Sequence, residues 1–120
     1  EVNLFGTIDF TERVLPLLRE GGHIINMSSR AGSLGDFSYP FNNPAYRISK
    51  AGLNMLTRIL ATRLKEKMIV SSVHPGWVRT EMGGEDATME PSEAAEYIFK
   101  LANSSVATGQ FWYKDKNFPW

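Results

Sequence analysis

HIINMSS, residues 23–29, is short, apolar and β-branched at its centre, and that composition predicts a buried strand. Upstream, Leu4, Ile8, Val14, Leu15 and Leu18 recur roughly on one helical face over residues 3–19, and Gly21-Gly22 stops the run. Downstream, residues 30–43 hold three prolines or glycines among polar residues and predict a loop. Helical spacing returns from Pro44 to about Lys67, carried by Leu53, Leu56, Leu60 and Leu64. IVSSVHP, residues 69–75, is a second strand, stopped by Pro75-Gly76. A polar, glycine-containing loop covers residues 76–90. Pro91 suits the first turn of a helix over SEAAEYIFKLAN, and GQFWY, residues 109–113, is a third strand before an aromatic tail. Helices alternating with strands in this way predict an α/β fold, a parallel sheet covered by helices, without repeats or a second domain.

The chain's 120 residues suffice for one modest domain or part of a larger one. Its 13 basic side chains balance 13 acidic ones, which leaves no field to hold nucleic acid or an anionic membrane surface. Without cysteine there is no disulfide, no thiolate nucleophile and no cysteine-based metal site, which fits an intracellular, cytoplasmic protein. No apolar run approaches the ~18 residues of a membrane span, and no signal-peptide pattern is present. The chain begins at Glu1 without a helix start signal, so it is expected to enter part-way through a helix.

In sheets of this class ligands collect at the carboxyl ends of the strands. Ser28-Ser29 end the first strand, Pro75-Gly76 end the second, and Tyr46 and Lys50 open the helix between them. Residues four apart lie one above the other on a helix, so the phenol and the ammonium share one small volume. A free tyrosine, with a pKa near ~10, is a poor proton donor or acceptor at neutral pH. A positive charge ~4 Å away favours the phenolate by on the order of 4 kcal/mol at an effective dielectric of ~20, which is what proton-coupled chemistry needs. Tyr and Lys at this spacing are often no more than solvated neighbours; the convergence at the strand ends is what sets this pair apart.

Four blocks, VNLFG (2–6), GHIINMSSRAG (22–32), YRISKAGLN (46–54) and VHPGWVRTEMGG (73–84), resemble the short-chain dehydrogenase/reductase family in its order and on its elements. HPGWVRTEMGG, ATMEPSEAAEY and GQFWYKDK resemble the carbonyl reductases within it. The resemblance implies a Rossmann-type, doubly wound parallel sheet. Residues 1–120 would be the C-terminal half of that NAD(P)-binding domain, without the glycine-rich half that chooses between NAD and NADP. The 17 residues from Ser29 to Tyr46 exceed the gap in most of the family, yet the much longer insertion of the monomeric carbonyl reductases is missing.

The resemblance also implies roles. Ser29 would hydrogen-bond the substrate carbonyl oxygen, and Tyr46 would protonate that oxygen as hydride reaches the carbon. Lys50 would support the tyrosine and bind the nicotinamide ribose, while Asn3 would hold a water linking the lysine to solvent. Met27 and Ser28 would touch the nicotinamide. Pro75, Gly76, Trp77 and Val78 would pass beneath it, where glycine permits close approach, and Thr80 would bind its carboxamide or phosphate. The cofactor would be NADP in preference to NAD, and the substrate a small carbonyl compound or alcohol. Two alternatives stand beside this: a catalytically silent NAD(P)-binding module, and an epimerase or dehydratase of the extended family. A homodimer or homotetramer is expected, because Met55, Ile59 and Thr62 leave the outer face of the second helix moderately apolar.

His23 and His74, without carboxylates at ligand spacing, are expected to be structural, and no metal site is expected. Glu81, Glu85, Asp86 and Glu90 suggest a solvated lid with Gly83-Gly84 as hinge. The aromatic residues from Phe111 to Trp120 are expected to pack the strand and tail.

Overall fold

Asn43 starts the central helix, its side-chain oxygen accepting from the Tyr46 N–H at 3.2 Å ahead of Pro44 at the first helical position. That capping fixes where the candidate residues Tyr46 and Lys50 stand. The computed structural model describes residues 2–37, 43–77 and 89–120, with side chains from Leu4 onward. In chain order a π-helical segment Val2–Gly6 runs into α1 (Thr7–Val14) and a 3-10 turn Leu15–Leu17. β1 (His23–Met27), a 3-10 turn Arg30–Gly32, α2 (Pro44–Arg63), β2 (Ile69–Val73), α3 (Pro91–Ala102), β3 (Gln110–Tyr113) and β4 (Lys116–Asn117) follow.

The sheet order is β1-β2-β3-β4. β1 and β2 run parallel from His23 opposite Ile69 to Met27 opposite Val73, so both carboxyl ends lie side by side. β3 is parallel to β2. The expected parallel α/β sheet is therefore present, with one correction. The aromatic tail folds back as β4, antiparallel to β3, with Trp112 opposite Asn117. The connection is the two-residue pair Lys114-Asp115 with φ of 55° at Lys114, a place where glycine is the usual signal.

Alternation along the strands puts helices on both faces. On one face, Ile24 and Val70 meet Leu53, Leu56, Leu60 and Ala61 of α2, with Ile8 and Leu15 of the first helix packed around them. On the same face Asn26 donates to Thr57 (2.9 Å), which bonds Ser72 at 2.6 Å and donates to the Leu53 carbonyl. These three side chains are buried, and the network fixes the relative height of β1, α2 and β2. On the other face His23 bonds Ser71 at 2.8 Å, and Tyr97 of α3 reaches the end of β2, its hydroxyl donating to the His74 carbonyl.

Helix α2 stops at Arg63 rather than continuing to Lys67, because Glu66 adopts φ of 70° in the turn that follows. Both strands stop short of the serine and proline ends assigned to them, at Met27 and Val73, although Ser28 still donates to the Val73 carbonyl (2.8 Å). No helix among the described residues is long and apolar enough to cross a membrane.

Candidate active site

Ser29 leaves β1 in an extended conformation, and its Oγ accepts from the Ala31 N–H at 3.1 Å, capping the Arg30–Gly32 turn. A capping hydroxyl used as acceptor keeps its own proton to donate elsewhere. The turn is pressed onto α2. A Cβ built on Gly32 would lie 2.8 Å from the Lys50 carbonyl carbon and 2.9 Å from its oxygen. Arg47 reaches back from α2 to the Ala31 carbonyl (3.1 Å), and Asn54 to that of Gly32 (3.4 Å). The serine and the helix are thus held as one unit.

Tyr46 and Lys50 share a face of the first turns of α2, as their spacing predicts. The Lys50 ammonium lies 5.6 Å from the centre of the Tyr46 ring and donates to the Met27 carbonyl at 3.0 Å. This bond carries the lysine to the carboxyl end of β1. Ser28, buried beside it, contacts the Lys50 carbonyl at 3.5 Å. Partial burial, which penalises the charged form, lowers the Lys50 pKa from its ordinary value.

Across the paired strand ends, Gly76 has φ of 89°, a conformation that favours glycine. A Cβ there would also come within 2.8 Å of Met89. Met27 and Trp77 expose nearly half of their surface, 45% and 47%, on the two sides of this edge. Ser28, Ser29, Lys50 and the Pro75-Gly76-Trp77 turn are therefore gathered at one edge of the sheet, with Tyr46 on the lysine's helix face.

The backbone of Asn3 belongs to the π-helical segment. Its side chain lies outside the described residues, as do Val78, Thr80, Glu81, Gly83, Gly84, Glu85 and Asp86. Glu90, read with that acidic group, instead caps α3: its N–H donates to the Glu93 carboxylate at 3.4 Å in a capping box. No metal-binding cluster of histidines and carboxylates occurs among the described residues. Sequence reasoning passed over Gly32 and Arg47, which position the lysine helix; a glycine in a loop carries no sign of what it touches.

The chain is similar to known proteins along its length. A family profile described as enoyl-(acyl carrier protein) reductase matches residues 1–100. C-signal of Myxococcus xanthus is 34% identical over 99% of this chain and 75% of its own length. Carbonyl reductase (NADPH) 1 of Mus musculus is 29% identical over the whole chain and 60% of its own length. The NADPH-bound carbonyl reductase from chicken fatty liver superposes with a TM-score of 0.88 at 28% identity. That alignment covers 98% of this chain and 52% of the chicken chain, so the chain spans about half the length of that relative.

Proposed function

The chain belongs to the short-chain dehydrogenase/reductase family, and from that premise we propose that the whole protein is an NADP-dependent oxidoreductase interconverting a carbonyl and an alcohol. The observation that carries the reading is the Lys50 ammonium. It stands on the Tyr46 face of α2 and reaches the Met27 carbonyl at the strand end that leads into Ser29. Residues 1–120 are on this reading part of one NAD(P)-binding domain.

The residues present fit a nicotinamide coenzyme. Half-exposed Met27 and Trp77 give a flat ring apolar surfaces beside the strand ends, and Lys50 supplies a donor for ribose hydroxyls. Ser28, Pro75, Gly76, Val78 and Thr80 would complete the cradle, and Asn3 would hold a water on the lysine's solvent side. NADP is preferred to NAD because the mouse and chicken relatives are named for NADPH. The coenzyme, when bound, supplies the hydride.

The chain's own residues manage the proton. Ser29, whose Oγ already accepts from Ala31, donates its hydrogen to the substrate oxygen and orients the carbonyl. Tyr46 gives its phenolic proton to the same oxygen as negative charge develops there, and takes it back in the oxidation. Lys50 favours the resulting phenolate by its charge. The mouse and chicken carbonyl reductases support a small carbonyl compound or alcohol as substrate.

In the full-length protein, Tyr46→Phe removes only the hydroxyl. Turnover should fall by about 10²–10⁴-fold, the range for a positioned acid–base group, while NADPH binding persists. Near-wild-type turnover in that variant would exclude the role. Exposed Met55 and Ile59 on α2 and Phe10 on α1 support assembly into a homodimer or homotetramer, and a stable monomer in light scattering at micromolar concentration would refute it.

A further inference from the structure

His74 follows β2 directly, and its N–H, its carbonyl and its ring Nδ1 each have a partner. Its N–H donates to the Trp112 carbonyl at 2.8 Å, which extends the β2–β3 pairing by one residue. Its carbonyl accepts from the Tyr97 hydroxyl of α3. Its ring Nδ1 accepts from the Gly76 N–H at 3.1 Å. The last bond joins a side-chain acceptor to the amide two residues on, the closure that Asn and Asp make in Asx-turns. The ring itself is clamped, stacked on Tyr113 with centroids 4.5 Å apart and met edge-on by Phe118 at 5.1 Å. Tyr113 at the end of β3 and Phe118 beyond it thereby reach the end of β2.

We propose that His74 is a positioning residue for the coenzyme site, its Nδ1 setting the course of the Pro75-Gly76 turn beneath the nicotinamide. The inference rests on the coenzyme reading above and assigns it a residue that touches neither coenzyme nor substrate. The turn needs such a guide. Proline has no N–H to offer the sheet, and Gly76 at φ of 89° has more backbone freedom than any other residue would. The imidazole bond favours this conformation over the others open to a Pro-Gly pair. With it, Gly76 is held against Met89 and Tyr113, and Trp77 is delivered to its bond with the Met89 N–H at 3.0 Å.

An acceptor role requires an unprotonated Nδ1. Burial, and secondarily the Arg30 guanidinium, push the His74 pKa down to about 4, with Asp36 opposing. Arg30 and Asp36 form a 2.7 Å ion pair on the segment after β1. Among the described residues, Tyr97 of α3 and Tyr113 of β3 also meet the residue. Burial first, and Tyr113 second, raise the Tyr97 pKa, so its hydroxyl stays protonated and keeps donating.

Two substitutions in the full-length protein separate the ring from the acceptor. His74→Phe keeps an aromatic ring and loses the nitrogen, whereas His74→Asn loses the ring and keeps an acceptor at Asx-turn spacing. NADPH affinity by fluorescence titration should weaken on the order of tenfold in the Phe variant, the worth of one lost hydrogen bond, and return to within about threefold in the Asn variant. The Gly76 amide of the wild-type protein should also be protected from hydrogen exchange, a readout that needs no variant to fold. Wild-type affinity in a folded His74→Phe, an Asn variant as weak as the Phe variant, or an unprotected Gly76 amide would each overturn the inference. Wild-type protein that binds neither NADPH nor NADH would instead overturn the coenzyme reading itself, whatever the Gly76 amide does.

Discussion

Gly32→Ala tests how tightly the serine turn and the lysine helix are coupled. The added methyl would lie 2.8 Å from the Lys50 carbonyl carbon and 2.9 Å from both its oxygen and its Cβ. Carbon–carbon contacts are comfortable at about 3.5–4.0 Å, so the turn and α2 must separate by about 0.7 Å or more. The neighbour is mostly backbone in mid-helix and cannot swing aside as a side-chain tip can. Overpacking of this kind costs about 1–3 kcal/mol of stability. The larger effect should fall on chemistry, because Ser29 lies on one side of the contact and Tyr46 and Lys50 on the other. A misplacement of about 1 Å can cost on the order of 10²-fold in rate, so a shift of this size should cost about 10-fold or more in kcat. The assay is steady-state reduction of a reactive small carbonyl compound by full-length protein with NADPH, alongside a thermal melt. Unchanged kcat together with an unchanged melt would show that the turn and helix yield freely, and the coupling argued here would be wrong.

Thr57→Val keeps the shape of the side chain and removes the hydroxyl joining Asn26 to Ser72, leaving buried polar groups unpaired. It should lower stability by about 1–3 kcal/mol in chemical denaturation, and a loss below a few tenths would mean the network contributes little. His74 makes stability depend on acidity with a definite sign. Its folded pKa of about 4 lies below the unfolded value near ~6.5, so the unfolded chain takes up the proton first. That contribution is fully present above pH ~6.5 and is lost as pH falls towards 4, by about 3 kcal/mol for this residue, which is about nine-tenths buried. His23, lowered mainly by burial, adds in the same direction. Urea midpoints between pH 7 and 4.5 should therefore fall less steeply in His74→Asn than in the wild type; parallel slopes would refute the assignment.

The elements that chain-local chemistry dictates are legible in the sequence alone. Two apolar strands, a leucine stripe and a proline at each of two helix starts are short-range signals, and they gave the alternation of helices and parallel strands. The pairing of Tyr46 with Lys50 was legible for the same reason, since four residues on a helix is a distance as well as a spacing. What escaped were contacts between segments far apart in the chain or set by unusual backbone. β4 hides behind a turn built on Lys114 where glycine would have announced it. Gly32 matters through a helix backbone 18 positions away, and His74 through Tyr97, Tyr113 and Phe118.

These hidden contacts follow a common logic. Ser29 and Gly76 lie where a strand has just ended, so the ladder holds them only on one side, and Lys50, within α2, reaches the same edge only by its side chain. Each makes a bond outside those ladders: the Ala31 N–H on the Ser29 oxygen and the His74 ring on the Gly76 amide, both two residues away, and the Met27 carbonyl on the Lys50 ammonium, from another segment. A site at the carboxyl edge of a sheet needs such substitutes for the hydrogen bonds its position forfeits. The substitutes can be damaged one at a time without unfolding the sheet, because the apolar contacts of Leu53, Leu56, Leu60 and Val70 lie below the edge and involve none of them. Variants at Gly32 and His74 should for that reason lower turnover or coenzyme affinity alongside stability, whereas Thr57, inside the sheet–helix layer, should change stability first.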